Sequence, residues 1–184
     1  MQVDRREEDG PVRLQKTICI LVLLLASSVM LAAQTRQFTG DGIDYILELP
    51  SPAWQVVSRL DVHDHAEFIN GNDPTNGYLR IRKMLVDRST NTTELFSQDE
   101  KWEFQRLPGY VVCSECEGIK FEGRISGAVF SYEYVAAGRT MYGRIYYLQV
   151  DPRTFYALRF TVARDKLQAV RDQMDLIARS FRLK

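Results

Sequence analysis

Residues 128–181 read AVFSYEYVAAGRTMYGRIYYLQVDPRTFYALRFTVARDKLQAVRDQMDLIARSF, and this stretch decides the fold. Ala128 to Ala136, Thr140 to Val150 and Thr154 to Val162 are rich in β-branched and aromatic residues. Only turn signals separate them, at Gly138 and at Asp151-Pro152, so they predict three strands joined as an antiparallel meander. The period then changes. Leu167, Val170, Met174, Ile177 and Phe181 recur at spacings of three and four, which predicts an amphipathic helix over 164–180 with its charged residues on the opposite side.

Upstream, Ile43 to Leu49 alternates until Pro50 stops it, and Trp54 to Ser58 follows a Ser-Pro turn. His65 to Asn70 is a third strand candidate, closed by the turn-rich Gly71 to Gly77. Tyr78 to Val86 leaves that turn with clean alternation: Leu79, Ile81 and Leu85 face one way, Tyr78, Arg80 and Arg82 the other. Asn91 caps a helix with Glu94 three residues on, and the stretch to Leu107 sets Leu95, Phe96, Trp102 and Leu107 on one face before Pro108-Gly109 ends it. Tyr110 to Ser114 and Gly118 to Arg124 are two further strands. Strands, helix, meander, helix is the order of an α+β domain with a central antiparallel sheet sandwiched by helices.

The chain has 184 residues, 45% hydrophobic and 11% aromatic, with 24 basic and 24 acidic side chains. That balance suits a globular protein and gives no footing to nucleic-acid binding, which needs a net basic domain or stripe. Thr17 to Ala33 is an apolar and small-residue run behind Arg13 and Lys16, the pattern of an export signal. Residues 1–33 are thus expected to be a signal peptide, or an N-terminal membrane anchor if uncleaved, the −3 positions for cuts after Ala32 or Ala33 being Met30 and Leu31. Residues 34–184 then form a single exported domain, periplasmic or secreted, meeting a membrane only through that segment. Four basic and four acidic residues precede Gln34, so this domain too is neutral, with 20 of each.

The ends of the domain carry a family resemblance. GIDYILELPSPAW, Gly42 to Trp54, gives a strand, a Pro stop and a Trp shortly after, and the last helix finishes as Ile177-Ala178-Arg179-Ser180-Phe181. This resembles the PsbP-like family, whose superfamily includes the Ran-binding Mog proteins. The resemblance implies a central antiparallel sheet between helices and a non-enzymatic binding or assembly role with no cofactor. It transfers no site residue.

Chemistry readable from the residues is sparse. Cys113-Ser114-Glu115-Cys116 lies between two strand candidates rather than at a helix N-terminus, so a Cys113–Cys116 disulfide in a hairpin turn is expected ahead of a redox-active dithiol. His63 and His65, on one side of an extended chain, with Cys113 and Cys116 make up a Cys2His2 set; an envelope thiol-redox or metal-binding protein is accordingly the alternative reading. No Gly-x-Ser-x-Gly elbow, Walker loop or Gly-x-Gly-x-x-Gly is present, and no catalytic residue is assigned. The binding expectation falls on Tyr78, Arg80 and Arg82 with Tyr142, Arg144 and Tyr146, an aromatic and basic composition suited to an envelope protein partner or a small anionic ligand.

Overall fold

A strand near the middle of the large sheet has no solvent-facing side. Met141–Leu148 is buried at every position, so both sides of the sheet around it must be covered. The computed structural model describes residues 35–60, 65–87, 90–113, 117–120 and 125–184. Residues 1–34, the proposed leader among them, lie outside these, as do His63, Cys116 and the end of the 118–124 strand candidate. Among the described residues no helix is long and apolar enough to cross a membrane.

Among the described residues, eleven strands and two α-helices follow in chain order. β1 (Arg36–Phe38), β2 (Tyr45–Leu49), β3 (Trp54–Leu60), β4 (His65–Asn70) and β5 (Tyr78–Leu85) precede α1 (Thr92–Trp102). β6 (Val111–Val112), β7 (Glu117–Lys120), β8 (Ser126–Ala136), β9 (Arg139–Asp151) and β10 (Thr154–Ala163) lead to α2 (Leu167–Arg179) and the short β11 (Arg182–Leu183). The large sheet runs β3-β4-β5-β10-β9-β8-β6, with β7 also paired to β8, and every pairing in it is antiparallel. The meander expected from residues 128–162 is its centre. The β8–β9 turn is Ala137-Gly138, with φ of 49° and 75°, the left-handed pair that lets a two-residue turn match the twist of its strands.

One face of the sheet carries Phe130, Tyr132, Ile145, Tyr147, Phe155 and Ala157 and is covered by Leu95, Phe96 and Phe104. The other carries Leu79, Ile81, Tyr146, Leu148, Leu158 and Phe160 and is covered by α2 through Val170, Met174 and Ile177. A second sheet, β1-β2-β11, was not foreseen in the sequence: Ile43 to Leu49 pairs not with the large sheet but with β1 and β11. It packs Phe38, Tyr45, Leu47 and Leu49 into the α2-side core. The result is an α+β sandwich, as the order of elements predicts.

α1 starts where expected, with Asn91 accepting from Thr93 and Glu94 and the Glu94 side chain returning to Asn91 N–H. It ends five residues early. The chain passes at Glu103 into a 3-10 turn, 104–106, and Phe104 fills the core position expected of Trp102, which is 60% exposed. Leu85 is also solvent-facing, at 78%, since β5 runs past the covered region there.

Gly143 explains itself by a close approach. A Cβ there would stand 2.2 Å from Cζ of Tyr132, whose ring lies across the glycine and stacks on Phe104 at 4.5 Å. Gly143→Ala is therefore expected to cost about 1–3 kcal/mol by overpacking, read as a fall in Tm. Met174→Asp or Ile177→Asp, each putting a carboxylate at a position with no exposure, should cost roughly 3–5 kcal/mol or prevent folding. A melting curve unchanged in either test contradicts the packing described.

Candidate functional site

The face of the sheet under α1 is only partly roofed. Towards β4 and β5 the helix stops short, and Glu67, Ile69, Tyr78 and Arg80 are left half-buried. Register assembles the row: Glu67 stands opposite Arg80, Arg80 opposite Arg159, and Arg159 opposite Ile145. One step along, Arg82 faces Ala157, which faces Tyr147. The methyl of Ala157 leaves room for its larger neighbours, and both reach the same carboxylate. Arg82 Nη2 donates to both oxygens of Asp99, at 2.9 and 2.8 Å, and Tyr147 OH donates to Asp99 Oδ2 at 2.6 Å.

Glu103, just past the end of α1, joins the remaining groups. Its Oε1 accepts from Arg82 Nη1 at 3.2 Å and its Oε2 from Arg159 Nη1 at 2.8 Å. Arg159 Nε donates to Tyr132 OH at 2.8 Å, and the guanidinium lies over the Phe104 ring at 4.7 Å. A cavity of about 20 Å³, room for one water-sized group, opens among Arg80, Arg82, Arg159, Asp99 and Glu103.

Electrostatics follow the pairing. Burial alone would lower the Arg82 guanidinium, but Asp99 and then Glu103 outweigh it and hold it above its ordinary value. Arg159 is raised likewise, by Tyr132 and Glu103 against burial. Burial, seconded by Asp99, pushes the Tyr147 phenol up, so it stays a donor. Burial and the adjacent Glu67 push Tyr78 up to about 12. A fixed array of guanidinium and phenol donors is equipped to hold an acceptor.

Of the six residues expected to bind, Tyr78, Arg80 and Arg82 belong to this site. Tyr142, Arg144 and Tyr146 do not. They lie on the opposite face, at 4%, 3% and 0% exposure, under α2, so the six form no common surface. There Arg144 Nε donates to Tyr146 OH at 2.8 Å and stands 3.3 Å from Asp175 Oδ1, while Nη1 reaches Ser131 Oγ at 3.2 Å and Tyr142 OH also donates to Ser131. Tyr146 donates to Asp175 as well. This network ties β9 to α2. Arg159, Asp99, Glu103 and Tyr132 were missed by sequence reasoning; Arg159 carries a legible signal, since it alternates with Phe160 in β10 and breaks an otherwise apolar run.

Cys113 follows β6, half-buried, with its N–H donating to Ser131 O at 2.9 Å. Its expected pairing with Cys116, and the metal set with His63 and His65, fall partly outside the described residues. Among the described residues no three His, Cys, Asp or Glu side chains are grouped to hold a metal.

Asp99→Asn is expected to remove the charge that Arg82 and Tyr147 share and to cost about 1–3 kcal/mol, the lower end reflecting water that still reaches Arg82, whose side chain is 29% exposed. Thermal melts decide it; a variant as stable as the parent shows that Asp99 does not hold α1 to the sheet.

No protein-family model and no curated protein matches the sequence. Solved structures do. The Ran-binding protein Mog1p of Saccharomyces cerevisiae superposes with a TM-score of 0.60 at 9% identity, covering 82% of this chain and 96% of its own. Cyanobacterial PsbP (CyanoP) from Synechocystis sp. PCC 6803 gives 0.58 at 12% identity, over 83% and 94%. LpqN, involved in cell envelope biogenesis of Mycobacterium tuberculosis, gives 0.52 at 15%, over 82% and 92%. The strand order, the covered central sheet and these superpositions together give the chain the Mog/PsbP-like fold.

Proposed function

We propose that the chain is an exported, non-catalytic binding module of the PsbP-like type, and that it docks on a protein of the cell envelope through the half-open face bearing Tyr78, Arg80, Arg82 and Arg159. The observation that carries the reading is the array itself: Arg82 and Arg159 with their phenol neighbours, ordered by Asp99 and Glu103, and Arg80 beside them facing Glu67, at the open margin of a sheet otherwise covered on both sides. Aromatic and arginine side chains supply most strong anchors at protein interfaces, and groups already held in place lose little entropy on binding. Mog1p is a Ran-binding protein and LpqN takes part in envelope biogenesis, so partner binding on this fold and an envelope location both have support from like structures. The apolar run 17–33 supports export.

Fractionation is expected to find the chain outside the cytoplasm, starting close to Gln34 if cleaved or held in membranes by residues 17–33 if not. For the face, crosslinking in the native envelope followed by quantitative mass spectrometry should show roughly tenfold lower recovery of the partner with Tyr78→Ala plus Arg80→Ala, at unchanged Tm. Tyr146→Ala, on the buried face, is the control for packing. Full recovery with the double variant sinks the docking role of this face.

A further inference from the structure

Of the two tryptophans, Trp54 is wholly buried and Trp102 is 60% exposed, its core position taken by Phe104. An indole carries a large apolar face, so one left in water by its own fold is available to another molecule. Lys101 Nζ lies over one face of the ring, 5.3 Å from its centroid, and the exposure of the ring leaves the other face to solvent.

Trp102 closes a row. Glu94, Ser97, Gln98, Lys101 and Trp102 recur at spacings of three and four, which sets them along one exposed flank of α1. With Asn91, Thr92 and Thr93 at the start of the helix they line a shallow cleft of about 790 Å³, in the range of small-ligand sites. Asn91 Oδ1 caps the helix, so that side chain is held in place with its amide nitrogen not used by the cap. From Asn91 to Trp102 the helix rises about 16 Å, the length of a short run of linked pyranose rings.

The lining says what fits. Among the described residues around the cleft only Glu94 and Lys101 are charged, one of each sign, and both are engaged, Glu94 with Asn91 N–H and Lys101 with the indole. An ion of either sign meets no surplus there. The remaining polar groups are hydroxyls and amides, able to donate and to accept. A protein interface is built around a contiguous apolar centre, which a single indole does not make. A sugar ring offers what this lining matches: hydroxyls around its edge, and a flat apolar face whose C–H bonds carry positive charge towards the negative face of an aromatic ring.

We infer that the outer flank of α1 binds a neutral oligosaccharide, one ring stacked on the open face of Trp102 and the following rings hydrogen-bonded to Gln98, Ser97 and Asn91. This site is separate from the cleft at Arg80 and does not rest on the docking role proposed for that face.

The test follows the two indole N–H signals by NMR in the full 15N-labelled chain, the Trp102 signal being assigned by its loss in Trp102→Phe. Trp54 is the internal control, since its Nε1 is buried and donates to Gln173 Oε1 at 2.9 Å. The probes are maltotriose, cellotriose and chitotriose, with the open-chain polyol sorbitol and a capped Leu-Leu-Leu peptide as controls. At least one trisaccharide is expected to shift the Trp102 signal saturably, at a Kd of about 1 mM, while the Trp54 signal stays in place. Trp102→Ala should weaken binding at least roughly tenfold and Gln98→Ala roughly threefold, followed on the α1 backbone amides and each at unchanged Tm. Failure of all three trisaccharides to saturate, an equal response to sorbitol, or an unchanged Kd in both variants overturns the inference. Saturation by the peptide and by no sugar also overturns it and makes this flank a protein contact.

Discussion

Strand β9 presents polar groups on both faces of a sheet that is covered on both sides, and each must find a partner away from water. Two aspartates, one on each helix, meet that demand. Tyr147 and the neighbouring Arg82 meet Asp99 of α1; Tyr146 and Arg144 meet Asp175 of α2. The apolar contacts set how much surface each helix buries, but they are non-directional and would tolerate sliding. The aspartates fix where along the sheet each helix stops. On the α1 side that stop leaves the β4–β5 margin open, so the candidate site exists because of where Asp99 is anchored.

Much of the architecture was legible because period and punctuation agreed. Alternation, the turn at Gly138 and the capping pair Asn91 and Glu94 located the sheet centre and the start of α1. What the sequence could not supply was parity between strands. Period-two alternation tells which residues of one strand share a face, yet not which face of the next strand they join. That depends on the turn. At the β9–β10 hairpin Thr154 pairs with Asp151, but Phe155 pairs with Gln149, an irregularity of one residue. Had the first register continued, Arg159 would stand opposite Tyr146, and the two expected triplets would share a face. Instead Ile145 stands there, and Tyr142, Arg144 and Tyr146 turn into the α2-side core. One extra residue in a hairpin thus separated a set that looked uniform in the sequence.

Composition alone also misjudged burial. Tyr and Arg are expected to keep their polar tips in water even beside a covering helix, yet Arg144 is buried to its guanidinium, because two phenols and a serine satisfy its donors. Trp102, the largest apolar side chain on the expected helix face, is exposed because a break in the helix hands its place to Phe104. Both outcomes turn on a local partner or a local break, neither of which a hydropathy pattern encodes.

The small sheet bears on the order in which the chain acquires its structure. β2, near the beginning of the domain, is flanked by β1 and by β11, and Ser180 Oγ accepts from Glu48 N–H across 132 positions of sequence. Lys184 N–H donates to Asp44 O at 3.0 Å beside them. A chain emerging in one direction can complete the β8–β9–β10 meander early, through short loops, but cannot seat β2 until its last residues have appeared. Until then Tyr45, Leu47 and Leu49 have no C-terminal strand beside them. The final turn of α2 and the strand after it act as the closing stitch of the fold.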